Sequence, residues 1–220
     1  MNILIDIKKL SSSFLETLEL VFIPLIFVIV IGLLLGFILF ITGDTGLLKK
    51  SKLVKVIHLT IYIITDVARS IPFVILIYAV IPFTLSIVKT ILGVRGAIPP
   101  LVISASPFFA RIVYNALKET NKGAIEALQA LGASIPKIIK VLFIEILPGL
   151  IRGLTITVIT LVGFVAAAGA VGAGGLGFYA KQRASVLDYN STTVAVILIL
   201  ILVFIIQFAG DFIAKKIDRK

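Results

Sequence analysis

Long apolar runs separated by short polar segments set the pattern of this chain. A helical membrane span needs about 20 apolar residues, because each residue adds about 1.5 Å across a hydrocarbon core about 30 Å thick. Segments of this kind lie at about residues 18–43, 57–82, 96–117, 153–180 and 189–210. The pattern therefore predicts an all-α integral membrane protein with five transmembrane helices. Residues 215–220 are mostly charged and predict a short tail.

The second and third predicted spans contain charges and helix-bending residues. Asp66 and Arg69 lie three residues apart, so they share a helix face and are expected to pair. Charges inside a bilayer are costly, so the two are expected to face the bundle interior or water, either as a structural ion pair or as contacts between subunits or beside a pathway. Ser70 precedes Ile71 and Pro72, and Pro72 is expected to bend the second span. The third span is expected to be bent and buried among other helices, because it contains Pro99, Pro100 and Pro107.

Composition supports a membrane protein and gives it an orientation. Hydrophobic residues make up 60% of the 220 residues and charged residues 15%, against about 45–50% and about 25% in soluble domains. The net charge of +10 requires no nucleic-acid partner, because Lys and Arg concentrate in cytoplasmic loops of membrane proteins. The 49–55 loop, the 111–152 region and the tail carry 14 of the 21 Lys and Arg residues. This asymmetry predicts an external N-terminus and a cytoplasmic C-terminus.

Few side chains support catalysis or metal binding. The chain has no cysteine, which excludes disulfides, thiolate metal sites and a cysteine nucleophile. Its single histidine, His58, is expected near a membrane interface. No convergent acid, base and nucleophile is apparent, so a membrane-embedded enzyme is not expected, and neither is a metal site. Gly172, Gly174 and Gly177 spell G-x-G-x-x-G, but a dinucleotide site needs a preceding strand, and Phe178 stands where a P-loop needs lysine.

The stretch IEALQALGAS, residues 125–134, lies in the longest polar loop, about 118–150. Ile125, Leu128 and Leu131 form one stripe of a short helix, with Glu126 off that stripe. Gly132 is expected to end this helix in a left-handed cap, and Ser134 to start a second short helix. The loop is expected either to dock a partner protein through its apolar stripe or to lie on the membrane surface.

The segment IEALQALGASIPKIIKVLFIEILPGLIRGL resembles the cytoplasmic EAA loop of ABC-importer permeases, with Leu128 in place of the second Ala. The segments ARSIPFVILIYAVIPF, ASPFFARIVYNAL, TLVGFVAAAGAVGAGGLGFYA and IQFAGDFI resemble methionine-uptake permeases of that family, in the same order. The resemblance covers about residues 14–214. It implies a type I ABC importer permease fold with short cytoplasmic coupling helices, in a bacterial cytoplasmic membrane. The residues that it implies in ATPase coupling are Glu126, Ala127, Leu128, Gly132, Ala133, Ser134, Leu147 and Pro148.

The resemblance also implies partners and a substrate. Two permease copies are expected to pair, with two cytoplasmic ATPase subunits that bind ATP–Mg²⁺ and an external substrate-binding protein, and with no cofactor on this chain. The expected activity is uptake of an amino acid, with methionine as the first candidate and another small amino acid or sulfur compound as the alternative. A secondary transporter would have inverted repeats and helices broken at mid-membrane, and neither is apparent in the sequence.

Small residues close the fourth predicted span. The resemblance and the flexibility of glycine favour a gate lined by Ala166, Ala167, Gly169, Gly172, Gly174 and Gly175. The alternative is close helix packing, which small residues permit. Gly32 and Gly36 form a G-x-x-x-G pattern in the first span and are expected to pack against another helix.

Overall fold

The structure is a computed structural model that describes residues 6–43, 48, 51–120 and 122–218. Within these ranges the chain forms helices and no strand: α1 Ile7–Thr42, α2 Lys52–Ser70, α3 Phe73–Ala79, α4 Ile81–Val88, α5 Gly93–Lys118, α6 Lys122–Ala130, α7 Ile135–Ala170, α8 Gly175–Ser185 and α9 Tyr189–Ile217. Four of these helices, α1, α5, α7 and α9, are long and apolar enough to span a membrane. A fifth span is present if α2 and α3 are taken together. The predicted all-α membrane fold is therefore confirmed.

Helix α5 lies at the centre of the bundle, as the proline-rich composition of the third span predicted. Its most apolar stretch is 72% buried inside the protein, against 28% for α1 and 17% for α9. Helix α1 runs beside α5 in the same direction, with Gly32 against Phe109 and Gly36 against Val113. A Cβ atom on Gly36 would lie 2.6 Å from Val113 Cβ. The predicted packing role of the G-x-x-x-G pattern is confirmed.

The second predicted span, about residues 57–82 with a bend at Pro72, is divided between separate helices. Helix α2 ends at Ser70, α3 begins at Phe73, and the two are bent by 112°. Pro72 has no N–H to continue the α2 ladder, and it restricts the preceding Ile71 to extended backbone, with φ −80° and ψ 125°. The bend expected at Pro72 is thus present as a full break. The expectation of no broken helix is wrong for the same reason.

The boundaries predicted around the fourth span are also wrong. Helix α7 begins at Ile135, continues through Pro148 and ends at Ala170, so the second short helix of the loop is the start of this long helix. A turn with positive φ at Gly172, Gly174 and Gly175 separates it from α8. Hydropathy marks the part of a helix that lies in lipid, and α7 extends beyond that part into the polar loop.

Two further helices are longer than their apolar runs. Helix α1 begins at Ile7, where the Asp6 carboxylate accepts a hydrogen bond from Lys9 N at 3.1 Å, and α9 continues to Ile217. Residues 215–217 of the predicted tail are therefore helical. Lys49, Lys50, Arg219 and Lys220, which were counted in the charge asymmetry, lie outside the described residues.

The bundle has two ends, which we name after their short helices. At the α6 end, α1 and α5 finish, and Thr42 Oγ1 lies 3.2 Å from His58 Nδ1. At the α8 end, Gly175 N donates to Glu16 Oε2 at 2.7 Å, and Gly93 N donates to Gly172 O at 3.0 Å. Helix α7 is the element that connects α6 directly to the turn before α8.

Candidate functional site

Helix α6 ends in the left-handed cap that was predicted at Gly132. The φ of Gly132 is +70°. Its N–H donates to Gln129 O at 2.9 Å, and Ala133 N–H donates to Leu128 O at 3.0 Å, which is the hydrogen-bond pair of a Schellman motif. A Cβ on Gly132 would meet no atom within 4 Å, so the backbone conformation is what favours glycine here.

The three apolar side chains predicted to form one stripe on α6 point in different directions. Ile125 is 5% exposed, and both Ile125 and Leu128 pack into the main hydrophobic core, whereas Leu131 is 83% exposed. The prediction of a continuous apolar docking stripe is therefore wrong, because α6 needs two of its three large side chains to hold it against the bundle. The exposed residues of this segment include Glu126, Ala127, Ala130 and Leu131, and we call these four the coupling surface.

The remaining loop residues occupy two places. Ala133 and Ser134 follow the glycine cap, and Ser134 is the N-cap position of α7, although its side chain makes no capping hydrogen bond. Leu147 and Pro148 lie half-buried inside α7. They are about 20 Å along the helix from Ser134, at about 1.5 Å per residue. The structure thus brings Glu126 to Ser134 together and places Leu147 and Pro148 apart from them.

The gate candidates lie where α7 turns into α8. A Cβ on Gly169 would come within 2.9 Å of the α8 backbone at Gly177 and Phe178, and a Cβ on Gly177 would meet the backbone of Ala166. Close packing through small residues is therefore real at Ala166 and Gly169. Ala167 packs against the main core. Their predicted role as a gate stays a prediction.

The glycine turn is a second Schellman motif. Gly172 has φ +99°, its N–H donates to Gly169 O at 3.1 Å, and Ala173 N–H donates to Ala168 O at 3.1 Å. A Cβ on Gly174 would lie 2.7 Å from Glu16 Oε2. The G-x-G-x-x-G pattern thus lies in the turn between α7 and α8 and at the start of α8. It follows a helix and not a strand, so the dinucleotide fingerprint does not apply.

Three charged residues meet where α2 packs against α5, and we call them the charge cluster: Asp66, Arg69 and Arg111. The predicted pair is present, with Arg69 Nε 3.1 Å from Asp66 Oδ1. Arg111 Nη2 lies 2.8 and 2.9 Å from the two oxygens of the same carboxylate. The Arg111 guanidinium also lies 4.0 Å from the centre of the Tyr62 ring, in a cation–π contact.

Sequence analysis counted Arg111 with the cytoplasmic region and did not predict that its side chain would be buried between helices. Arg111 is buried within α5, seven residues before the helix ends at Lys118. The apolar residues around it, Ile112 and Val113, are the signal that was overlooked, because a charge inside an apolar helix needs a partner on another helix. Asp66 on α2 is that partner.

A cavity of about 220 Å³ opens beside the charge cluster, at the break between α2 and α3. We call it the break cavity. Arg69, Ser70 and Ser104 give it a polar side. Its apolar side includes Phe108 and the stacked rings of Phe73 and Phe164, whose centres are 4.9 Å apart. Ser70 Oγ donates to Asp66 O at 2.7 Å and so links the cavity to the charge cluster.

A buried carboxylate also lies at the α8 end. Asp188 is the N-cap of α9 and accepts a hydrogen bond from Ser191 N at 3.1 Å. Hydrogen bonds from Ser191 lower the pKa of Asp188 below its ordinary value of 3.8; burial opposes the shift, and the charge of Arg183 adds to it. Arg183 Nη2 lies 3.8 Å from Asp6 Oδ2, and Arg183 Nη1 lies 3.9 Å from Asp188 Oδ2. Arg183 therefore links the start of α1 to the start of α9.

Similar proteins place these features in a known family. A family model described as a binding-protein-dependent transport system inner membrane component matches residues 45–220. The chain is 38% identical over 207 residues to the probable D-methionine transport system permease protein MetI of Haemophilus influenzae, covering 93% of this chain and 95% of that protein. It is 44% identical over 189 residues to the methionine import system permease protein MetP of Bacillus subtilis, covering 83% and 82%.

Solved structures agree with this placement. A structure of the MetNI methionine ABC transporter, which describes inward-facing conformations, matches with a TM-score of 0.90 and 42% identity, covering 97% of this chain and 98% of that chain. An amino acid ABC transporter solved with histidines matches with a TM-score of 0.72 and 18% identity, which shows a shared fold. The chain therefore belongs to the family of binding-protein-dependent transport system inner membrane components, and it is the ABC-importer permease subunit that the sequence predicted.

Proposed function

We propose that this permease subunit moves methionine from an external binding protein into the cytoplasm, driven by ATP hydrolysis on a separate subunit. The observation that carries the substrate is the similarity over 93% of the chain to a methionine permease, together with the 0.90 TM-score to a methionine transporter. Another small amino acid or a related sulfur compound is the alternative substrate, because the external binding protein selects the substrate before it reaches the permease.

The proposed assembly contains two copies of the permease and two ATPase subunits. In this proposal each ATPase subunit receives one coupling surface, with Leu131 as the apolar anchor and Glu126 as the charged contact. The 83% exposure of Leu131 supports this role, because a large apolar side chain at the tip of a short helix is suited to burial in a partner groove. ATP–Mg²⁺ is bound by the ATPase subunits, and no cofactor is assigned to this chain.

The α6 end is proposed to face the cytoplasm and the α8 end the external binding protein. Exposed lysines at the α6 end support this orientation: Lys52, Lys55, Lys137, Lys140, Lys215 and Lys216. The N-terminus is then outside and the C-terminus inside.

Helix α7 provides the mechanical link between ATP and the gate. Its 36 residues form a rod about 54 Å long at about 1.5 Å per residue. Gly132 fixes α6 to the start of this rod, and the other end carries Ala166, Ala167 and Gly169 against α8. A displacement of the coupling surface is therefore passed along one continuous helix to the proposed gate, where small residues allow the helices to slide.

Co-purification tests the coupling surface. The complex is expressed with its ATPase and purified through a tag on the permease, as the intact chain, as Glu126→Lys and as Glu119→Lys. Glu119 is exposed at the end of α5, outside the coupling surface, so it gives the same charge change at the same end of the bundle. We expect the ATPase to co-purify with the intact chain and with Glu119→Lys, and to be lost from Glu126→Lys. Full retention by Glu126→Lys, or equal loss from both variants, would contradict the proposal.

A further inference from the structure

We infer that the break cavity is a transit site for a zwitterionic amino acid and that Arg69 binds the substrate carboxylate there. This inference rests on the proposed function as an amino-acid permease and adds a substrate contact within this chain. The break cavity is defined by the break between α2 and α3, Ser104 of α5 and Phe164 of α7.

The first argument is depth. Ser104 lies eleven residues after the start of α5 at Gly93 and fourteen residues before its end at Lys118. At about 1.5 Å per residue it is about 16 Å from one end of α5 and about 21 Å from the other. The break cavity is therefore at the middle of the bundle. Interrupted helices at this depth line substrate sites in other membrane transporters.

The second argument is charge balance. The charge cluster contains two guanidinium groups and one carboxylate. Arg111 Nη2 contacts both oxygens of Asp66, and Arg69 reaches this carboxylate only through Nε, at 3.1 Å. Among the described residues, Arg69 has one acidic side chain within ion-pair distance, that of Asp66. The cluster thus keeps one positive charge without a counter-ion, which is costly inside a membrane.

The geometry shows where an anion would relieve this cost. The Arg69 side chain is 42% exposed and lines the break cavity. Its two Nη groups make no hydrogen bond to any described residue, so they are free to form the paired contacts that a guanidinium makes with a carboxylate. Ser104 also lines the break cavity, and its Oγ supplies a further hydrogen-bond donor there.

The third argument is the chemistry of the remaining walls. Helix α2 ends at the cavity, so its last carbonyls lack intrahelical partners and carry the negative end of the helix dipole, which suits an ammonium group. The rings of Phe73, Phe108 and Phe164 form an apolar side, and thioethers make favourable contacts with aromatic rings. A volume of about 220 Å³ is more than ten times the roughly 10–15 Å³ that a cavity needs to hold one water molecule. Carboxylate, ammonium and an unbranched apolar side chain each have a matching wall.

A cysteine-protection experiment tests the site. The native chain has no cysteine, so Ser70→Cys introduces its single thiol at the cavity. The complex of permease and ATPase is placed in nanodiscs without the binding protein and treated with methyl methanethiosulfonate at increasing methionine concentrations. The mass of the separated permease subunit reports modification. Ser86→Cys is the matched control, because Ser86 is also exposed and also donates to a backbone carbonyl at 2.7 Å, but lies outside the cavity.

We expect methionine to protect the thiol of Ser70→Cys and not that of Ser86→Cys. Methioninamide lacks the carboxylate, so it should need a concentration at least about tenfold higher than methionine to protect the thiol equally. This factor is the loss of affinity expected when one charge-assisted hydrogen bond is removed. Adding Arg69→Gln should remove the preference for methionine over methioninamide, and Arg69→Lys should retain part of it. The inference is overturned if methionine gives no protection, or if the preference survives Arg69→Gln. If Arg69→Gln does not assemble, the comparison of methionine with methioninamide on Ser70→Cys still decides.

The outcomes separate this inference from the proposed function. ATP-driven methionine uptake by the complex carrying Ser70→Cys, without any protection of the thiol, would refute the transit site and leave the importer standing. Protection by a different amino acid, in a complex that does not import methionine, would refute methionine as the substrate and support the site. Disruption of the permease dimer by Arg69→Lys would instead place Arg69 at the subunit interface and overturn the inference.

Discussion

The φ of Gly132 makes a sharp prediction about coupling. Glycine adopts φ +70° without strain, whereas other L-residues in the left-handed region lose about 1–2 kcal/mol. A Cβ at this position meets no atom within 4 Å, so no clash at Cβ adds to the cost. Replacement by Leu is therefore expected to weaken the cap by about 1–2 kcal/mol, a factor of about 5–30 in the equilibrium between the capped and uncapped loop.

Asparagine is the matched control for this substitution. Asn and Leu have nearly the same shape, but Asn tolerates the left-handed conformation because its side chain bonds to the local backbone. Gly132→Leu should loosen the joint between α6 and α7, so that ATP hydrolysis continues while less substrate moves. Gly132→Asn should keep most of the coupling.

The assay is the ratio of methionine imported to ATP hydrolysed, in proteoliposomes containing the permease, its ATPase and its binding protein. We expect this ratio to fall for Gly132→Leu and to stay close to that of the intact protein for Gly132→Asn. An unchanged ratio for Gly132→Leu would refute the rigid-joint argument. An equal fall for both variants would assign the effect to side-chain bulk at the ATPase contact and not to φ.

Three other substitutions test the packing and the charges. Asp66→Asn leaves Arg111 buried without its counter-ion and should destabilise the detergent-solubilised protein by about 3 kcal/mol in thermal unfolding; this is the low end for a broken buried pair, because Asp66 is 32% exposed. Gly36→Ala places a Cβ 2.6 Å from Val113 and should lower Tm. Gly163→Ala is the control, because its Cβ meets no atom within 4 Å, and its Tm should equal or exceed that of the intact protein. Equal Tm values for the two variants would count against the packing of α1 on α5. The folded-state pKa of Asp188 is lower than its unfolded value of 3.8, so its stabilising contribution is present above that pH and is lost as pH falls through the folded-state pKa. Tm measured against pH should therefore show a smaller acid-side decline for Asp188→Asn, and an identical decline would contradict this assignment.

Long apolar runs were enough to predict the fold class, because the thickness of the bilayer sets the length of each span. It could not predict where the helices end. Helix α7 begins at Ile135 and continues through Pro148 into the apolar run. A helix can continue beyond the lipid where neighbouring helices pack against it, so hydropathy does not mark its end. The 112° break at Pro72 was expected only as a kink. Its size depends on α5 and α7, which pack around the break and are far away in sequence.

The candidate sites were predictable to different degrees. Gly132 and Ser134 were placed correctly, because a left-handed cap and an N-cap are local features of the chain. The inward direction of Leu128 and the pairing of Arg111 with Asp66 were not predicted. Both depend on contacts between elements, and Arg111 is 45 residues from its partner.

The initial rate of methionine uptake into proteoliposomes tests the central claim most directly. The vesicles contain the permease, its ATPase and ATP, with the binding protein and methionine outside. We predict uptake that requires internal ATP and both protein partners, and that persists after the proton gradient is collapsed. Uptake that proceeds without ATP and stops when the proton gradient is collapsed would contradict the account.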